Sequence, residues 1–148
     1  MLSLSFTLKM LNSLLLRLAD NFPDSVEDNL GEKNNAHDFI DEIVMLLSSR
    51  PRLGYIESIP GLNTSVLNYG INEHFSENIS RTERARILQE RIVVALQRFE
   101  SRLQDVDVTS NFESLSRITF IIKGVSQNQP LEFTLVWDDA MSHFFCHY

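Results

Sequence analysis

Three carboxylates stand close together along the chain, at Glu100, Asp105 and Asp107. A glycosidase uses two carboxyl groups, one as acid and one as base or nucleophile, facing each other across a cleft. Here Asp105 and Asp107 alternate with Val106 and Val108, the pattern of a solvated strand face, not of a cleft wall. The one tryptophan, Trp137, falls on the apolar side of an alternating segment, so it offers no sugar-stacking platform. A second cluster, His143, Cys146 and His147, gathers nitrogen and sulfur donors of the kind zinc takes. No second ligand pair with the usual spacing accompanies it, and His37 and His74 add none. It reads as an aromatic tail. The five glycines are scattered and build no phosphate loop, and no nucleophile motif is present. These residue types point to no enzyme, metal or cofactor.

The most regular charge pattern is cationic. Arg84, Arg91, Arg98 and Arg102 fall within roughly 40° of one another on a helical wheel. Guanidinium groups in a row can fork onto a partner's carboxylates. They can also solvate a helix face, and Glu83 and Glu90 are spaced to pair with some of them. The stripe is a local exception: the formal net charge is −7. That balance disfavours nonspecific attachment to nucleic acid or an anionic membrane.

A long helix must carry this stripe. Ser80 and Glu83 have capping-box spacing, and Ala85, Leu88, Ile92, Leu96, Phe99 and Leu103 form one apolar stripe. After Arg102 the period changes to two, so the helix feeds directly into a strand, Leu103–Thr109. Two further strands are expected, Leu115–Gly124 and Leu131–Trp137. Asn111 and Glu113 mark the first turn and Gln127–Pro130 the second. Upstream, Met1–Leu18 reads as an amphipathic helix with Leu8, Leu11, Leu15 and Leu18 on one face, ending near Asp20. It lacks the basic start and cleavage site of a signal peptide. A polar loop runs through Asn35, which would cap a helix over Ala36–Ser49 bearing Phe39, Ile40, Ile43, Leu46 and Leu47, with Pro51 beyond its end. The connection 51–79 is too apolar for disorder and is expected to be ordered, with one helical turn at Ser65–Tyr69.

Helices followed by a short antiparallel meander make an α+β fold, with helices on one face of a small antiparallel sheet. The 148 residues, 43% apolar and 22% charged, suit one domain over 1–148, with 1–34 as an N-terminal helix and polar loop. A single cysteine, Cys146, excludes an internal disulfide, and no apolar run is long enough to span a membrane. As the last strand of the meander, Leu131–Trp137 would offer a free edge for a partner strand, with Glu132, Thr134 and Val136 setting register. The competing arrangement has the tail Ala140–Tyr148 folded back over that edge.

Three segments carry a family resemblance. Phe99-Glu100-Ser101-Arg102-Leu103, ending a long helix ahead of a Val-x-Val strand, resembles the Phe-Glu-Pro-Arg-Leu junction of the gene-25-like (GPW) baseplate wedge family, with Ser101 in place of proline. Ser13-Leu14-Leu15-Leu16-Arg17-Leu18 and Ser65-Val66-Leu67-Asn68-Tyr69-Gly70-Ile71 resemble segments of TssE, the type VI secretion branch of that family. The resemblance implies a gene-25-like wedge fold and a non-enzymatic structural subunit without cofactors. It would act in the cytoplasm at the membrane-proximal baseplate, bound to TssF, TssG and TssK and touching the first sheath ring of TssB and TssC. Glu100 and Arg102 would serve that assembly. Pro130–Asp138 is also similar to the Pro-Leu-x-Phe-x-Leu-Val-Trp-Asp strand of the anti-adapter IraD, which shares the fold and would imply a binding module that sequesters an RssB-type response regulator. The 13–18 and 65–71 segments favour the baseplate reading.

Overall fold

The computed structural model describes residues 34–147, and the side chains of residues 39–146. The helix expected over Met1–Leu18, the loop that follows it and the Ser13–Leu18 segment lie outside the described residues. The chain divides into two units, 1–42 and 43–148, and the elements below belong to the second, apart from the start of the first helix.

That helix, α1, spans Asn34–Ser48, so Asn35 lies inside its first turn and does not cap it. Ile43, Leu46 and Leu47 are buried, as the helical spacing demands. The second helix, α2, spans Arg81–Phe99. The Ser80 hydroxyl accepts the Glu83 N–H at 3.2 Å, the expected cap. The Glu83 carboxylate does not return to Ser80; it binds Arg86 at 2.6 Å. Ala85, Leu88, Ile92, Ala95 and Leu96 are the buried stripe of α2.

Four strands follow, β1 (Gln104–Phe112), β2 (Arg117–Ser126), β3 (Gln129–Asp138) and β4 (His143–His147). They form one antiparallel sheet in the order β1-β2-β3-β4. Val108, Ile118, Phe120, Ile122, Phe133, Leu135, Trp137 and Phe144 are buried and share one face by register. α2 is tied to this sheet by Ser110 Oγ donating to Gln89 Oε1 at 3.0 Å and by Arg81, which donates to the Arg117 carbonyl at 2.8 Å and to the Ser114 carbonyl. The α+β expectation holds.

Several local expectations are corrected. β1 extends to Phe112, so Asn111 pairs with Thr119 instead of turning. β1 also holds a bulge: the register slips by one between Gln104 and Asp107, and Asp105 takes φ 52°. Asp is one of the few side-chain-bearing residues that tolerates this left-handed backbone. The second hairpin turns on Gln127 and Asn128 alone, both with positive φ, while Gln129 and Pro130 are already in the ladder. Two positive φ values match the right-handed twist of the strands they join. The tail is a fourth strand: Thr134 pairs with His147, Val136 with Phe145 and Asp138 with His143. Over Thr134–Asp138, β3 is therefore an interior strand, and its edge is not open.

Candidate functional site

The connection from Pro51 to Ser80 is ordered by short-range bonds and by α2. It contains two 3-10 turns, Ile56–Ser58, which the sequence reading missed, and Val66–Asn68, which it placed one residue wider at each end. Gly70 sits at φ 115°, and a β-carbon there would lie 2.1 Å from the Ser49 carbonyl oxygen. Only glycine lets the backbone pass so close. That approach allows Ile71 N–H to donate to Ser49 O at 2.9 Å, while Arg52 N–H donates to Leu67 O at 3.1 Å. The connection is thereby fastened to the end of α1.

Asn68, only 3% exposed, holds the connection together from inside. Its amide donates to Asn63 O at 2.7 Å and to Glu57 Oε2 at 3.0 Å. Glu57 in turn receives Arg98 from α2, whose Nη1 lies 2.7 Å from both carboxylate oxygens. Burial alone would raise the Glu57 pKa. The hydrogen bonds from Asn68 and Arg98 and the nearby cations outweigh it and hold the group below its ordinary value of 4.5. Next along the chain, the Tyr69 ring meets the Phe99 ring edge-on at 5.3 Å.

At Phe99 the helix ends. Glu100 leaves the helical region (φ −122°, ψ 76°) and is 7% exposed. Its carboxylate accepts the Arg102 backbone N–H at 3.2 Å, Nε at 2.7 Å and Nη2 at 2.6 Å. Leu103 N–H closes a four-residue turn onto Glu100 O. Arg102 therefore stands beyond the helix and does not share a face with Arg84, Arg91 and Arg98. It grips a carboxylate of its own chain, where the sequence pattern suggests a partner's carboxylate.

The other stripe arginines are also engaged within the chain. Arg84 pairs with Asp139 at 3.2 Å, the residue that also receives the Trp137 indole N–H at 2.9 Å. Arg91 donates to the Asn72 carbonyl and, at 3.0 Å, to that of His74. Glu83 and Glu90, expected to pair with this stripe, are instead bound by Arg86. The stripe thus fastens α2 to the connection and to the β3–β4 turn. Nothing in composition or spacing marks Glu57 or Asp139 as its partners, since both lie far away in sequence.

The remaining candidates are scattered. Glu132 pairs with Lys123 at 3.3 Å on an exposed part of the sheet. Thr134 and Val136 lie where β4 covers β3, and Val136 is 1% exposed, so neither offers a free backbone edge. Along β4, His143 and Cys146 differ by an odd number of residues and so fall on opposite faces. Among the described residues no group of three or more histidine, cysteine, aspartate or glutamate side chains is placed to hold a metal ion. Asp105 and Asp107 are exposed on β1 and Glu100 is neutralised by Arg102, so the three carboxylates are not brought into one cleft.

The two segments 65–71 and 99–103 therefore meet, through Tyr69 on Phe99, and the junction Glu100–Leu103 lies directly beyond that contact. A family model described as baseplate wedge protein gp25 matches residues 36–131, which takes in both segments. The chain belongs to this family. Its role is that of a structural baseplate component. No curated protein and no solved structure gives a match. The gp25 match ends at Leu131, near the start of β3, so the covering strand β4 lies outside it.

Within the gp25 family motif, Ser101 occupies the second position of the Glu100–Leu103 turn, a place where the fixed φ of proline is favoured. Glu100 has already left the helical region, as a residue before proline must. Ser101→Pro is expected to raise stability by about 0.4–1 kcal/mol, chiefly by restricting the unfolded chain. Chemical denaturation reads this directly.

Asp138 adds a second lowered carboxyl. The Met141 N–H bond is the main cause; burial opposes it, and Ala140 N–H and Arg117 reinforce it. Both Glu57 and Asp138 titrate below their unfolded values. The stability they supply is complete above the ordinary carboxylate range and is lost as pH falls through their folded values. Stability followed from pH 7 downward should hold until about 4.5 and then decline. In Asn68→Ala, which removes one bond to Glu57, the folded value moves toward the unfolded one, so the share of this decline due to Glu57 should be smaller.

Proposed function

We propose that this chain is a TssE-like subunit of a type VI secretion baseplate, linking the wedge to the first ring of the contractile sheath. The observation that carries the reading is the meeting of the TssE-like segment 65–71 with the gene-25-like junction 99–103: Tyr69 packs on Phe99, one residue before the Glu100–Arg102 pair. A segment of the connection and the end of α2, converging on one junction, suit a shared surface for partners. The partners on this reading are TssF, TssG and TssK in the baseplate and TssB and TssC in the sheath, and the compartment is the cytoplasm. Among the described residues no helix is long and apolar enough to cross a membrane.

On this reading residues 1–148 act as one gene-25-like domain, with 1–34 as its N-terminal helix and loop. Glu100 and Arg102 are the assembly residues. Arg91 and Arg98 contribute by fixing the connection beside the junction, and Arg84 by fixing the β3–β4 turn. The chain performs no catalysis; the supporting observation is that Glu100, Asp105 and Asp107 are not gathered into one cleft.

The test is affinity purification of the tagged chain from its own cells. Recovery of baseplate and sheath proteins supports the proposal. Recovery of an RssB-type response regulator without them would overturn it and favour the anti-adapter reading.

A further inference from the structure

Between the connection and the C-terminal half of α2 lies a half-open cavity of about 330 Å³. Leu53, Ile71, Val94 and Phe99 supply apolar wall, and Glu57 and Arg91 supply charge. On the same connection, large apolar side chains stand in solvent: Tyr55 is 64% and Val66 82% exposed, and Leu53, Leu62 and Leu67 are partly so. An apolar cavity bordered by exposed apolar residues is the form of a docking site for a partner's side chains.

The charges decide what kind of partner. Four ionisable groups line the cavity, Glu57, Glu90, Arg91 and Arg98. Three are already compensated: Arg98 lies against both oxygens of Glu57, and Glu90 is turned to Arg86. Arg91 differs. Its guanidinium donates to the carbonyls of Asn72 and His74 and lies over the Phe75 ring at 5.2 Å. No carboxylate among the described residues comes within ion-pair distance of it, and Glu57, whose charge it feels, is taken by Arg98 and Asn68. Burial disfavours the Arg91 cation, which strengthens the attraction to an incoming anion.

We propose that this cavity binds a segment of a partner protein in which an acidic residue adjoins a large apolar one, the carboxylate meeting Arg91 and the apolar side chain entering between Leu53, Ile71 and Phe99. Such a residue pair satisfies both halves of the site together. An ion pair formed in a partly desolvated pocket contributes specificity against the uncharged analogue, whose amide leaves the cation unmatched. The proposal is separate from the assembly reading, because it is measured with the purified chain and a peptide alone.

The probe is acetyl-Leu-Asp-Phe-Leu-amide, titrated into isotope-labelled protein and compared with the Asn counterpart. Saturable amide shifts are expected at Leu53, Ile71, Arg91 and Val94, with at least fivefold tighter binding of the Asp peptide. Arg91→Gln should abolish that preference. Because Arg91 also anchors the connection, a second variant, Val94→Asp, places a competing carboxylate one helical turn from Arg91 and should abolish it too. Lys123→Gln, on the exposed sheet surface, should leave it intact. Shifts that do not saturate, equal affinity for the two peptides, or an undiminished preference in folded Val94→Asp would each overturn the proposal.

Discussion

Replacing Gly70 with alanine is expected to destabilise the chain by about 3 kcal/mol, from a backbone conformation that side-chain-bearing residues rarely adopt and from direct overlap with neighbouring backbone. The overlap is with the Ser49 carbonyl, which cannot rotate away because it accepts the Ile71 N–H. Something must give: either the connection lifts from the end of α1, or the turn at Val66–Asn68 is pulled out of shape. The melting temperature should fall by roughly 10 °C. Gly61→Ala is the matched control, since Gly61 also has positive φ but open space where a β-carbon would go. Backbone strain alone should cost it only about 1–2 kcal/mol. Equal losses in the two variants would show that the Gly70 contact is not what holds the connection.

Phe144→Ala should cost about 3–5 kcal/mol, the usual range for removing a buried phenylalanine. Phe144 is fully buried, with its ring 4.7 Å from that of Trp137 and 6.1 Å from that of Phe120. It lies in the stretch that composition suggests is an aromatic tail. A loss below about 1 kcal/mol, the size typical of surface positions, would mean that β4 frays instead of closing the core. Phe145 is the internal comparison. It falls on the opposite face, stacked under Arg117 at 5.6 Å, and Phe145→Ala should cost less.

Much of this arrangement was legible from local rules. Ser80 starts α2 because its hydroxyl and the Glu83 N–H are brought together by sequence spacing alone. The alternation through Ile118, Phe120 and Ile122 identifies the buried face of β2 without further information. The end of α2 was misread because the apolar stripe continues to Leu103. That residue is buried by a turn, and its side chain occupies the space that Gly124 leaves open. The turn itself depends on Glu100 reaching Arg102, a local contact that competes with one more helical turn. β4 was missed as a strand because five residues rich in aromatics show no clear period of two, and pairing with β3 decides the matter. The partners of the arginine stripe were not legible at all. Glu57 and Arg98 lie 41 residues apart, and only the fold of the connection brings them together.

The proposed assembly role of the helix-to-strand junction is tested most directly by sheath formation in living cells. Cells lacking the chain would be complemented with wild type, Glu100→Ala or Arg102→Ala, and sheath assembly scored by a fluorescent sheath protein. Breaking a pair whose arginine is partly exposed should lower folding stability by only about 1–2 kcal/mol, and purified variants should melt accordingly. The proposed role predicts folded variants that fail to assemble sheath. Normal sheath formation by both folded variants would contradict it.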